Sequence, residues 1–593
     1  MSTEVRRARA RQMFIFLLVC VGMLALLGRL YYWQIVEAYS GHKLALLASQ
    51  EHIHDQVLTA SRGLIYDANG LVLATNVVRD DVYIEPVQFS ENHPDDLQEA
   101  LTQTLTALHS VLPALSVAET RHAFMLALSA NRWSLLIAHA ITPQQSERLR
   151  ELALPAVFLA PQTERIYPQG DLAAQVLGYV GYVSGSSSLQ GVYGIEAQYN
   201  SLLAGRPGSL TAERDLYGNP LVVGASSEEP PVPGANLTLT IDSTIQYFVQ
   251  TQLAATVKQL GAQGGTVVVL DARTGAVVAM AGYPNYDPNQ YGRYANQTGC
   301  LHSEEVYLNP ALYCAYEPGS TLKAVTMAAA LDQGLITPNT TIYDRGYLTF
   351  NDGTPMVTNW QNQAWGRETM TEVLVHSANV GAAYVAHDLL GPSRYYPYLA
   401  RFGFGQRTGI DSPEATGFYR HPGSPGWTPS DLARQAFGQS ILATPLQVAL
   451  AYQAIANDGV MMRPYLVSSI DANGHVTKIQ PQVVRRVISS KAAHELTAML
   501  EVAAIDGSAQ RALVPGYTVA AKTGTATTQG ISEDQTEASV AGFLPASHPR
   551  FVILVKLDRP QASIYGGTAA APLWKAIAEE LMWYYHVPPD QSQ

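Results

Sequence analysis

Tyr316-Glu317-Pro318-Gly319-Ser320-Thr321-Leu322-Lys323-Ala324-Val325-Thr326-Met327-Ala328-Ala329-Ala330-Leu331-Asp332 reads as a turn running into a helix. Pro318-Gly319 breaks regular structure, and Thr321 to Asp332 is dominated by good helix formers. Ser320 therefore falls at a helix N-terminus, with Lys323 one turn on and on the same face. A serine hydroxyl is a poor nucleophile until a neighbour takes its proton, and Lys323 is placed to do so. The amine must be neutral for this, which requires burial or a nearby positive charge. The helix N-terminus also offers an amide to the oxyanion that acyl transfer creates. Taken alone, the tetrad reads as an incidental pattern on a surface helix.

Two further motifs downstream change that balance. Ser377-Ala378-Asn379 follows the helical stretch Met370 to His376 and precedes Val380-Gly381-Ala382-Ala383, so it reads as an exposed turn between helices. Its hydroxyl can relay a proton between Lys323 and a leaving amine, and the Asn379 amide can hold a carbonyl. Lys522-Thr523-Gly524-Thr525 closes the β-rich run Tyr517 to Ala521. On an edge strand, Lys522 would bring positive charge to a cleft, and Thr523 and Thr525 would offer hydroxyls to a carboxylate. Gly524 would let a ligand backbone approach. The Thr525 amide would be a second oxyanion donor. Ser-x-x-Lys, Ser-x-Asn and Lys-Thr-Gly in this order carry far more information than any one of them.

Upstream, Ser226 to Gly234 is polar and proline-dense and reads as a domain boundary. Beyond it, Asn236 to Ile241 alternates as a strand and Ser243 to Leu260 as an amphipathic helix. Gly265 to Asp271 and Ala276 to Met280 form a hairpin across Ala272-Arg273-Thr274-Gly275. Before it, Asp67-Ala68-Asn69-Gly70 joins two apolar runs as a hairpin turn. Residues 91–155 are Leu- and Ala-rich with helical spacing, notably Leu97 to Leu108 and Thr142 to Leu152. Ser40 to Gln56 reads as a further helix.

At the N-terminus, Arg6, Arg7, Arg9 and Arg11 precede the apolar run Met13 to Gly28, and Tyr31-Tyr32-Trp33 follows as an interfacial belt. With the residues through Trp33 the run reaches the roughly 20 needed to span a bilayer. The basic flank predicts an uncleaved single-pass anchor, N-terminus inside, with the remainder outside the cytoplasm; no small-x-small cleavage site follows Gly28. Arg29 either snorkels to the headgroups or meets another membrane helix. The 593 residues exceed one core. Their net charge of −12, with no basic stripe beyond the first eleven residues, argues against a nucleic-acid partner. Cys300 and Cys314 are close enough in sequence to bridge or to stay as two thiols. No cofactor or metal motif is present: His52-Ile53-His54-Asp55 reads as a solvated connector and Gly403 to Gly409 has the wrong spacing for a dinucleotide loop.

The three motifs, with Arg62-Gly63, Arg165-Ile166-Tyr167-Pro168, Gly194-Ile195-Glu196, Pro284 to Asn289, Ala436-Phe437-Gly438-Gln439, Ala443 to Gln447 and Ala541-Gly542-Phe543, resemble a class B (monofunctional) penicillin-binding protein from the anchor nearly to the C-terminus. The resemblance implies an α+β transpeptidase domain, an antiparallel sheet flanked by helices, on an elongated β-rich pedestal with one transmembrane helix. The corresponding division is a cytoplasmic tail over 1–12, an anchor over 13–36, a non-catalytic pedestal of dimerisation type over 37–225, a transpeptidase domain over 226–583 and a tail over 584–593. It further implies a peptidoglycan D,D-transpeptidase acting on D-Ala-D-Ala stem peptides. Ser320, Lys323, Ser377 and Asn379 would be catalytic, and Lys522, Thr523, Gly524 and Thr525 would bind substrate. Covalent inhibition by β-lactams and partnership with a polytopic membrane glycosyltransferase and other cell-wall or division proteins also follow from it. Asn379 followed by Val380-Gly381 looks more like division-type than elongation-type members. Leu322 departs from the Phe frequent in the family, which alters packing only. Two alternatives share these residues: a serine β-lactamase, for which Glu414 would be the water-activating carboxylate, and a non-catalytic membrane scaffold regulating a glycan polymerase. Pro413-Glu414-Ala415-Thr416-Gly417 lacks the continuation the first would need, and a structural loop role fits Glu414 better.

Overall fold

The computed structural model describes residues 3–32, 53–182, 189–213, 226–300, 305–527 and 535–591. The chain forms two compact units, residues 1–61 with 205–233, and residues 62–204 with 234–593. In the first, helix Thr3–Tyr31 contains a 23-residue stretch, Arg9–Tyr31, of mean hydropathy 2.5. At 1.5 Å per residue it is about 35 Å long, enough to cross a hydrocarbon core and consistent with a single-pass anchor. Residues 33–36 of the expected anchor lie outside the described residues. The helix expected to run to Gln56 is not present at its end: Ile53–Leu58 is a strand, paired antiparallel with Gly208–Glu213. A partner about 150 residues away supplies the hydrogen bonds there, which local periodicity cannot reveal; residues 40–52 are outside the described set. Gly208–Glu213 also pairs with Ser226–Glu229, so the first part of the expected linker is a strand ahead of Pro230 and Pro231.

In the second unit the Asn69-Gly70 hairpin forms, between Ile65–Tyr66 and a strand that runs on to Ile84. Gly70 sits at φ +88°, and Asp67 Oδ1 accepts from the Asn69 and Leu71 amides to fix the turn. These strands belong to a seven-stranded sheet in the order His475–Lys478, Val467–Ala472, Asn236–Leu239, Ile65–Tyr66, Val72–Ile84, Leu135–Ile141, with Val157–Ile166 also paired to Val72–Ile84. Helices Leu97–Val111, Val117–Ser129 and Pro143–Leu152 bring Leu101, Leu105, Leu108, Phe124 and Leu149 against Val82 and Ile84. The Leu/Ala-rich stretch is thus not wholly helical. Leu135–Ile141 is too short an apolar run for periodicity to separate helix from strand, and sheet pairing decides it.

Three separated sequence stretches converge on Glu196. Glu196, fully buried, accepts from Arg62 Nε at 2.7 Å through Oε2 and from Arg165 Nε at 2.7 Å through Oε1. Arg62 also reaches Asn200, and Arg165 reaches the Gly63 carbonyl and Asn76. Both carboxylate oxygens are paired with a guanidinium inside the fold, so removing one partner strands a buried charge. We expect Glu196→Gln to lower the unfolding free energy by about 3–5 kcal/mol in chemical denaturation of the solubilised chain.

The remaining core is a five-stranded antiparallel sheet in the order Val277–Tyr283, Gly264–Asp271, Phe551–Asp558, Thr536–Leu544, Ala520–Thr527. The expected Gly265 hairpin forms its first two strands. Both faces are covered, so the strands read as continuous apolar runs. Val267, Val269, Ile553 and Val555 pack with helices Ser243–Leu260 and Gly566–Tyr584, while Val268, Leu270, Val552 and Leu554 belong to the core on the opposite face. Helix Pro445–Ala456 is buried all round at the centre of that second layer, started by a Thr444/Gln447 capping box and Pro445 in its first turn. A disulfide joins Cys300 and Cys314, with Cα atoms 6.1 Å apart.

Candidate active site

Gly319–Leu322 is a 3₁₀ turn that passes into helix Lys323–Asp332, so Ser320 stands at the head of the helix as expected. The turn is pinned from two sides. Tyr316 makes an antiparallel bridge to Ala443, the Gly319 amide donates to the Gly438 carbonyl at 3.0 Å, and the Ser440 amide donates to Glu317 Oε1 at 2.8 Å. Gly319 is at φ +56° and Gly438 at φ +81°. A Cβ on Gly438 would lie 2.1 Å from the Gly319 carbonyl oxygen, so neither place accepts a side chain without strain. On the other side the turn abuts the edge strand Ala520–Thr527, and the Thr525 amide nitrogen is 3.3 Å from where a Gly319 Cβ would be. This leaves Ser320 half-buried beside a helix start and a strand amide.

Lys323, one turn on, is completely buried. Its Nζ donates to Asn379 Oδ1 at 2.8 Å and to the Ser377 carbonyl, and lies 3.3 Å from Ser377 Oγ. Burial, helped by the neighbouring Lys522 ammonium, pushes this amine well below the usual lysine range; the Glu368 carboxyl pulls weakly the other way. A neutral amine has two N–H bonds. The Ser377 carbonyl and the Asn379 amide oxygen accept both, which leaves its lone pair for a hydroxyl.

The turn between helices Met370–Val375 and Asn379–Tyr384 carries Ser377 at φ +55°. It is half-buried rather than the exposed turn expected, because Lys323 and Lys522 both reach it from the interior. Ser377 Oγ accepts from Lys522 Nζ at 2.9 Å and so links the two lysines. Asn379 Nδ2 donates to the Thr358 carbonyl, fixing which way its amide oxygen faces.

Lys522, Thr523, Gly524 and Thr525 lie in the middle of their strand and not at the end of a run from Tyr517. Among the described residues it is an edge strand, paired with Thr536–Leu544 alone. Alternation puts Lys522 and Gly524 on one face, Thr523 and Thr525 on the other. Lys522 is 2% exposed, and burial brings its amine down to about 7, so the charge it offers near neutrality is partial. The Thr523 hydroxyl is bonded to Ser508, and Thr525 Oγ1 accepts from the Gly566 amide at 3.1 Å. A Cβ on Gly524 would meet Ser539 Oγ at 2.5 Å and the Pro318 carbonyl at 2.7 Å, so this glycine lets the strand close under the Ser320 turn. Glu414 is occupied within its own loop, accepting from Thr408 Oγ1 at 2.7 Å and the Gly409 amide at 2.9 Å.

The fold therefore brings the motif residues of 320–323, 377–379 and 522–525 around one site. Residues 265–579 match the model of the penicillin-binding protein transpeptidase domain, and residues 57–239 match that of the penicillin-binding protein dimerisation domain. The chain belongs to the penicillin-binding protein transpeptidase family. Among relatives of this penicillin-binding protein, stage V sporulation protein D of Bacillus subtilis is 30% identical over 597 residues, covering 99% of this chain and 87% of that one. Peptidoglycan D,D-transpeptidase FtsI of Escherichia coli K12 is 29% identical, covering 97% and 92%. The crystal structure of penicillin-binding protein 3 of Mycobacterium tuberculosis complexed with aztreonam superposes with a TM-score of 0.66 at 28% identity, over 90% of this chain and 98% of that one.

Several residues that shape the site carried no sequence signal. Asn359, Asp344, Glu368 and His376 sit behind the Ser377 turn, and Ser508 meets Thr523. They come from short strands and loops without a motif of their own. Only the pairing of Thr341–Asp344 with Gly366–Thr369 brings Asp344 and Glu368 to the same place.

Proposed function

We propose that this chain is a class B peptidoglycan D,D-transpeptidase whose acyl-enzyme forms on Ser320. The observation that carries the reading is the buried Lys323 amine, held by Ser377 and Asn379 one helical turn from Ser320. Lys323 takes the Ser320 proton as Oγ attacks the penultimate D-alanine carbonyl. The C–N bond to the terminal D-alanine breaks, and the proton passes through Ser377 to the departing amine. An amine of a neighbouring stem peptide then attacks the ester, Ser320 recovers its proton, and a crosslink is made. The Ser320 and Thr525 amides face the oxyanion, Asn379 orients the peptide, the Thr523 and Thr525 hydroxyls on their shared strand face meet its carboxylate, and Lys522 adds positive charge from the buried face beside Ser377. Ser508 bonds the Thr523 hydroxyl, and Gly524 contributes by close packing. β-Lactams acylate the same serine.

The anchor is oriented N-terminus inside by its four arginines, with the catalytic domain outside the cytoplasm. It leaves Arg29 exposed for the headgroups or a polytopic glycosyltransferase, and similarity to FtsI supports a division role. The division into 1–12, 13–36, 37–225, 226–583 and 584–593 is retained as the functional organisation. The test is intact-mass analysis of the solubilised chain after exposure to penicillin, followed by peptide mapping. One long-lived adduct on the Ser320 peptide is expected. Steady turnover of the drug would point to a β-lactamase, and no adduct to a scaffold.

A further inference from the structure

Behind the Ser377 turn lies a polar cluster that the acyl-transfer chemistry does not use. Glu368, 1% exposed, is on strand Gly366–Thr369, and Asp344, fully buried, is on its partner Thr341–Asp344. His376 Nδ1 is 3.0 Å from Glu368 Oε2, and its ring lies flat on Trp365, with centroids 3.8 Å apart and planes 5° from parallel. Asp344 Oδ2 accepts from Asn359 Nδ2 at 2.6 Å, and Asn359 Oδ1 accepts from the Val380 amide at 3.0 Å. His376 directly precedes Ser377 and Val380 directly follows Asn379. The two carboxyls thus hold the motif by its two ends.

Two buried acids this close are costly unless a proton lies between them. Glu368 Oε1 is buried and accepts no hydrogen bond, which leaves it available as the protonated oxygen toward Asp344. Burial and the Asp344 carboxylate raise Glu368 to about 8. The other charged groups facing it are Lys323 from the nucleophile helix and Glu372 from the helix ahead of Ser377; Lys522 stands beyond Lys323, and Arg367, next on the strand, is exposed.

We propose that Glu368 is a positioning residue for acylation: with Asp344, it clamps Ser377-Ala378-Asn379 through His376 at one end and Asn359 at the other, presenting the 377 carbonyl and the Asn379 amide to Lys323. It rests on the acyl-enzyme reading above. Above about pH 8 Glu368 loses its proton, its hydrogen bond to Asp344 becomes a repulsion, and the clamp loosens. Penicillin acylation of the parent chain therefore falls at alkaline pH.

The experiment measures the second-order rate of acylation by a fluorescent penicillin from pH 6 to 10, on the full chain in detergent. Glu368→Gln keeps a donor toward Asp344 but cannot ionise, so acylation near pH 7 stays within about threefold and the alkaline fall disappears. His376→Ala, at a half-exposed place where folding is not at stake, slows acylation about tenfold and displaces the fall. The same alkaline fall in the parent and Glu368→Gln, or no fall in the parent, overturns the proposal. If Glu368→Gln does not fold, an unchanged profile in His376→Ala overturns it alone. Absence of any acylation in the parent would instead sink the acyl-enzyme reading.

Discussion

Replacing Ser320 with alanine should abolish covalent labelling by penicillin, cutting the acylation rate by about 10⁴-fold or more. Oγ is the only atom removed, at the head of a helix whose turn is held by bonds that do not involve it, among them those of Gly319, Tyr316, Ser440 and Tyr452. These remain, as does the buried network around Lys323, so thermal stability should change little. The measurement pairs fluorescent-penicillin labelling with a melting curve. Residual labelling at the parental rate would place the nucleophile elsewhere. A variant that neither labels nor melts cooperatively would report misfolding and not chemistry. In cells, the same variant separates enzyme from scaffold: full rescue of a depleted strain would show that crosslinking by this chain is dispensable.

Lys323→Met should be nearly as damaging, lowering acylation by about 10²–10⁴-fold, the range associated with removing a general base. Methionine matches the length of the buried stem and carries no charge, so stability should hold or rise. Lys323→Arg should fail as well, since a guanidinium does not give up its proton in this pH range. The sign of the pH dependence follows from the same residue. Catalysis needs the unprotonated amine, which is present above its pKa, and burial and Lys522 both move that value down. Acylation by the parent chain should consequently rise from acid pH and level off by neutrality. Lys522→Ala removes one of the two causes, so the acid limb should move to higher pH. A limb that stays in place would mean that the two lysines are not coupled.

The elements with strong local signals form as their residues imply. Helix Ser243–Leu260 has the expected bounds, capped by Asp242 accepting from the Thr244 amide. The Asn69-Gly70 and Ala272–Gly275 turns make the expected hairpins. In each case the deciding interaction spans a few residues, through a cap, a left-handed glycine or a period of apolar side chains. Strands Ile53–Leu58 and Leu135–Ile141 were not legible in the same way, since their hydrogen-bond partners lie far along the chain.

The covalent order of this chain was enough to identify a nucleophile, its amine and an anion-facing strand, because each motif is a run of neighbours whose chemistry is fixed by residue type and spacing. It was also enough to mark a membrane-length apolar segment, since bilayer thickness sets a length that can be counted. Tertiary structure decided everything that depends on burial and on contacts between distant segments. Lys323 and Lys522 owe their lowered proton affinity to water being excluded from around them, and Glu196 owes its charge pairing to two arginines 134 and 31 residues away along the chain. The Asp344–Glu368 pair exists only because two short strands align. Solvent exclusion and strand register arise from the packed chain as a whole, which is why no local reading of the residues could supply them.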